Sequence, residues 1–199
     1  MKIFKFLLIL IILVAVAYFV FQEFTGYQER KIKSLEEKIA LLKEEHVPLR
    51  FRISEKTADS VVLTIKFYNA NNKEINSLNT SLPGQELSFD FQVVPIKGKY
   101  VAFPSKLFSN VIAPVNGITL FQFYDNNGFP GVFYSDSIDQ DLKVGLTNLF
   151  AKVKTGQTDS IKNQFGNMVH DVKDIKSFMP DIVYSIICHT KGGIEIIEE

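Results

Sequence analysis

Cysteine is nearly missing from this chain of 199 residues: Cys188 stands alone, and tryptophan is absent. A lone thiol excludes an intramolecular disulfide framework, so packing must hold the core together. A charge excess is missing as well, because 22 acidic residues balance 22 basic ones. That balance leaves no basic footprint for nucleic acid and no acidic solvating tail. Internal repeats and low-complexity tracts are absent, which removes solenoids and linker-like proteins. The chain also lacks a Walker loop, a dinucleotide fingerprint, a nucleophile elbow and zinc-ligand spacing. Nothing in the sequence calls for a cofactor or metal, or for a catalytic role.

Apolar residues are plentiful, with 18 phenylalanines among them. The run from Phe6 to Phe21 carries no charge and follows Lys2 and Lys5. A bilayer core about 30 Å thick takes ~20 helical residues, and Ile3, Phe4 and a snorkelling Lys5 extend the run toward that length. Residues 1–22 therefore read as a transmembrane anchor in contact with membrane lipid. The alternative is a cleaved signal peptide, since Ala15-Val16-Ala17 fits a small-residue cleavage site. Tyr18 to Phe21 prolong the apolar run past that cut and favour retention. Lys2 and Lys5 hold the short tail inside, and Gln22 to Glu29 contain no basic residue. The C-terminal domain is expected on the extracytoplasmic side.

Residues 23–47 read as a helical stalk, charged and free of Pro and Gly from Tyr27 to His46. Ile32, Leu35, Ile39 and Leu42 occupy a and d positions of two heptads. They mark a homo-oligomer contact through a short coiled coil, or the apolar stripe of one amphipathic helix packed on its own domain. Pro48 is expected to end the helix.

Residues 48–199 form one α+β domain in this reading. Leu49, Phe51 and Ile53 alternate with polar neighbours, Val61 to Tyr68 is β-branched and aromatic, and Leu87 to Val93 alternates again. Strands are also expected at Tyr100 to Phe103, Ile118 to Tyr124 and Gly131 to Tyr134, the last two around a hairpin turn at Asp125-Asn-Asn-Gly128. Two amphipathic helices follow and cover one face of the sheet. Ser137 and Gln140 form a capping box for the first, whose apolar face is Leu142, Leu146, Leu149, Phe150 and Val153. The second places Ile161, Phe165, Met168, Val169, Val172 and Ile175 on one face. Ile182 to His189 and Ile194 to Ile197 then close the domain as a hairpin.

Reactive groups are scattered. His170 falls on the polar side of the second helix. His189 and Cys188 are neighbours in a strand and point to opposite faces, which leaves Cys188 a buried structural thiol. His46 ends the stalk, near the negative pole of the helix dipole. Asp136, Asp139 and Asp141 lie at a helix start, and the Asp125 to Gly128 tip explains its own oxygens without calcium. Phe108, in the irregular stretch from Phe103 to Gly117, and Phe129, at the hairpin, are the candidate contacts for an unknown protein partner. The bland reading of the first stretch is a short helix from Ser105 to Ile112 packed on the sheet. The expected function is a non-enzymatic, membrane-anchored protein displaying its domain for protein–protein interaction or envelope assembly. A tethered small-ligand or lipid-binding domain is the alternative, since helices over a sheet can enclose an apolar cavity.

Overall fold

A computed structural model describes residues 45–96, 99–157, 167–171, 179–190 and 193–199. The anchor over residues 1–22 and the heptad positions Ile32, Leu35, Ile39 and Leu42 lie outside the described residues. Among those described, no helix is long and apolar enough to cross a membrane.

The domain is mainly antiparallel sheet. Strands β1 (Glu45–Lys56), β2 (Ser60–Tyr68), β3 (Glu74–Pro83), β10 (Val183–His189) and β11 (Ile194–Glu198) form one sheet in the order β11-β10-β1-β2-β3. A second sheet runs β6-β5-β4-β9, from β4 (Leu87–Ile96), β5 (Lys99–Ser109), β6 (Ile118–Thr119) and β9 (Asn167–Asp171). The Asp125–Asn126 and Phe129–Pro130 pair, β7 and β8, closes the short hairpin expected at that turn. Asn127 and Gly128 take positive φ angles of 51° and 89° there, as a tight Asn-Gly turn requires.

Alternation decides which face each strand buries. In β1, Leu49, Phe51 and Ile53 are buried while Arg52 and Ser54 are exposed. Val61, Leu63, Ile65 and Phe67 do the same in β2. Both faces of β4 are largely covered, so that Ser88 and Asp90, polar positions of its alternation, are buried as well as Leu87, Phe89 and Phe91. The two sheets meet where the rings of Phe51 and Phe89 lie 5.0 Å apart. Helix α1 (Gln140–Lys154) presents Leu146, Phe150 and Val153 to this core, and Phe150 stacks on Phe103 of β5 at 5.7 Å. Gly156, at φ 70°, follows the last turn in a left-handed conformation.

Several expectations are corrected. Asn167–Asp171, the middle of the expected second amphipathic helix, is strand β9, paired to β4 from Ser88 to Gln92, and the rest of that expected helix lies outside the described residues. The domain therefore carries one α-helix among its described residues, not two on one face. The expected helix from Ser105 to Ile112 is strand as far as Ser109, with a bulge between Asp90 and Phe91 that accommodates Pro104. The expected strand from Ile118 is two residues long and gives way to a 3-10 turn at Phe121–Phe123, and Gly131–Phe133 is a second such turn. Asp139, not Ser137, caps α1: its Oδ2 accepts the N–H of Leu142 at 3.3 Å. Finally, β1 begins at Glu45, so Glu45, His46 and Val47 are sheet rather than the end of a stalk helix.

Candidate functional site

Strand β1 enters the sheet beside the end of β10, and His46 sits directly opposite Cys188 in that register. Cross-strand partners share a face. Both residues line a half-open cavity of about 520 Å³. Ile96 of β4 and Tyr100, Val101 and Ala102 of β5 supply another wall. Phe133, Ile138, Leu142 and Leu146 complete it, because Asp139 starts α1 here and turns the first two helical turns toward the sheet. Glu45, Ser137 and Asp139 are exposed and form the rim, with Lys99 and Thr190 half-buried. A predominantly apolar lining with few polar groups is the usual composition of a ligand pocket, and the volume lies within the common range of about 300–1,000 Å³.

His46 is the unusual member. Its ring packs on Phe133 with centroids 5.0 Å apart. The Nε2 atom is sealed from solvent and finds no hydrogen-bond partner among the described residues. Burial disfavours the imidazolium and lowers the His46 pKa to about 4. Cys188 is 6% exposed, and burial pushes its thiol far above the ordinary range. An active thiolate–imidazolium pair needs shifts in the opposite sense, with the thiol low and the imidazole charged. Here desolvation holds both groups neutral. The arrangement is suited to contact with an uncharged, apolar body.

Other sequence candidates fall elsewhere. His189 leans toward Glu195 at 3.3 Å and Glu45 at 3.8 Å, on the opposite side of β10 from Cys188. His170 is placed on β9, opposite Phe89. Phe108 and Phe129, expected to meet a partner, are each only 6% exposed and join the interior. Asp125 at the hairpin pairs with Lys154 and accepts the Gly128 N–H at 2.7 Å, so its oxygens are engaged within the chain. Among the described residues no three His, Cys, Asp or Glu side chains converge as metal ligands. A buried polar pair that the sequence did not reveal is Ser105 Oγ donating to Asp90 Oδ2 at 2.6 Å. Burial raises the Asp90 pKa, and neither residue lines the cavity.

The juxtaposition of His46 with Cys188 was also hidden. Alternation back from Leu49 through Val47 would put His46 on the outer face with Arg50, and the register shift between His46 and Leu49 is what turns it toward Cys188. No family model, curated protein or solved structure matches the chain.

Proposed function

We propose that this is a single-pass membrane protein whose extracytoplasmic domain holds a small apolar or lipid-like ligand and catalyses no reaction. The observation that carries this reading is the 520 Å³ cavity with its neutral imidazole and thiol at the wall. Tethering rests on the apolar run from Phe6 to Phe21. A domain held beside a bilayer meets amphiphiles at high local concentration, so a modest pocket suffices.

The test is native mass spectrometry of the full chain released from nanodiscs. The wild type is expected to carry a bound hydrophobic molecule. Ala102 is 5% exposed in the cavity wall, and Ala102→Leu fills space there, so that variant is expected to lose the adduct. Protein that folds normally and never carries an adduct, in either form, removes the proposal.

A second reading keeps protein–protein contact, with pairing through Ile32, Leu35, Ile39 and Leu42. What favours it is the segment after β5, where Val111 is 62% and Val115 76% exposed. Two exposed valines four residues apart offer apolar area that a partner could cover. Crosslinking in intact membranes checks it: a dimer band that disappears in the Leu35→Asp/Leu42→Asp variant is expected, and a monomer throughout counts against it.

A further inference from the structure

The outer face of the five-stranded sheet carries a second concavity, distinct from the cavity above, of about 550 Å³. Its floor is built by register. Arg50 of β1 lies directly opposite Lys66 of β2, and Arg52 opposite Thr64. Two cations facing each other across a ladder are destabilising unless something offsets them. Arg50 is held in place from three sides: its guanidinium carbon lies 4.3 Å over the Tyr68 ring, Nη1 donates to Asn72 Oδ1 at 2.8 Å, and Nε donates to Glu199. Lys66 pairs with Glu74 at 2.8 Å. Arg52 is exposed and has no partner among the described residues.

Glu199 shows what the groove accepts. Its carboxylate takes a hydrogen bond from Arg50 and another from Ser185 Oγ, a hydroxyl whose residue is only 2% exposed. Those bonds hold the Glu199 carboxyl below its usual range against the opposing effect of burial. The Glu199 backbone is tied separately, its N–H donating to Val183 O at 3.0 Å. The side chain is therefore free to swing out without unpairing β11.

We infer that this groove is a binding site for a compact ligand bearing two or more oxyanion groups, phosphate or carboxylate, and that the Glu199 side chain occupies one of its subsites in cis. A ligand oxyanion displaces that carboxylate from Arg50 and Ser185, and a second oxyanion meets Arg52 beside Lys66. Arg50 is the residue best built for this, because a stacked and preorganised guanidinium loses little freedom on binding. Displacement of Glu199 leaves Arg50, Arg52 and Lys66 with Glu74 as their one paired carboxylate among the described residues.

The experiment uses full-length protein in phosphatidylcholine nanodiscs, with inorganic pyrophosphate as the probe. Arginine Nε–Hε signals of Arg50 and Arg52 provide the readout. Pyrophosphate is expected to shift both signals, and Arg52→Gln to weaken binding by about fivefold. Glu199→Gln removes the competing charge and is expected to tighten binding by about threefold. Glu198→Gln makes the same charge change one residue away and is expected to gain less. Equal gains from the two glutamate variants, or weaker binding in Glu199→Gln, overturn the inference. Nanodiscs containing cardiolipin, whose headgroup carries two phosphodiesters, without pyrophosphate distinguish the source: the same shifts there assign a lipid headgroup, and shifts with pyrophosphate alone assign a soluble ligand. No shift under either condition overturns the site.

Discussion

At the scale of single residues, His46 and Cys188 carry the clearest consequences. The imidazole of His46 is held near 4 in the folded protein, against about 6.5 in an unfolded chain. As pH falls, the unfolded chain takes up the proton first. Stability from this residue is therefore complete above about pH 6.5 and drains away between 6.5 and 4, by at most about 3 kcal/mol. Denaturant titrations across that window are expected to show the loss, and His46→Phe to flatten it. Cys188 makes a separate prediction. Burial keeps its thiol protonated at the wall of the half-open cavity, so iodoacetamide labelling is expected to be slow in the folded protein and to speed up on unfolding. Fast labelling under native conditions would mean that the thiol ionises readily within the cavity. Phe108 and Phe129 also belong at this scale. A phenylalanine in an irregular stretch looks the same in sequence whether it faces solvent or core, and here both are buried, Phe129 beside α1 with Lys143 Nζ 5.9 Å from its ring centroid.

Elements were legible where one period ruled a segment. The alternation of β1, β2 and β4 follows directly from residues 49–53, 61–67 and 87–93. So does the apolar face of α1, whose cap predicts a measurable cost. Asp139→Ala is expected to destabilise by about 1 kcal/mol, read from the thermal midpoint, because the Leu142 N–H loses its acceptor. At the β7–β8 turn, Gly128 has φ 89°, and no atom lies within 4 Å of the place a methyl group would take, so only backbone conformation opposes a side chain. Gly128→Ala is expected to cost about 1 kcal/mol for that reason. The misread elements share a cause. Met168 and Val169 fit a helical spacing, yet β4 is covered on both faces and needs a hydrogen-bonding partner along its open edge, which β9 supplies from Asn167 to Asp171. The stretch from Phe103 likewise showed no clean period, because a register shift beside Pro104 interrupts the strand that β5 forms with β4.

On the scale of the molecule, the proposal is a tethered head with an apolar cavity on one part of its surface and a cationic groove on the outer sheet. Anchoring predicts that the full chain stays in the membrane pellet after carbonate extraction. Release into the supernatant, with a mature N-terminus at Tyr18, would convert the protein into an exported soluble factor. The groove was only half visible in the sequence. Arg50 and Arg52 announce a polar face two residues apart, but Lys66 joins them through the β1–β2 register and Glu199 arrives from the other end of the domain. The cavity was less visible still, since its histidine read as the end of a helix.

By itself the sequence determined what depends on neighbours along the chain: strand alternation, the amphipathic face of α1, the Asn-Gly turn and the apolar run near the start. Tertiary structure alone decided that His46 meets Cys188, that β9 is sheet and that Glu199 lies on Arg50. Each of those contacts joins segments far apart in the chain. The free energy that selects them comes from burying shared surface and pairing open strand edges, and local propensity carries no record of it.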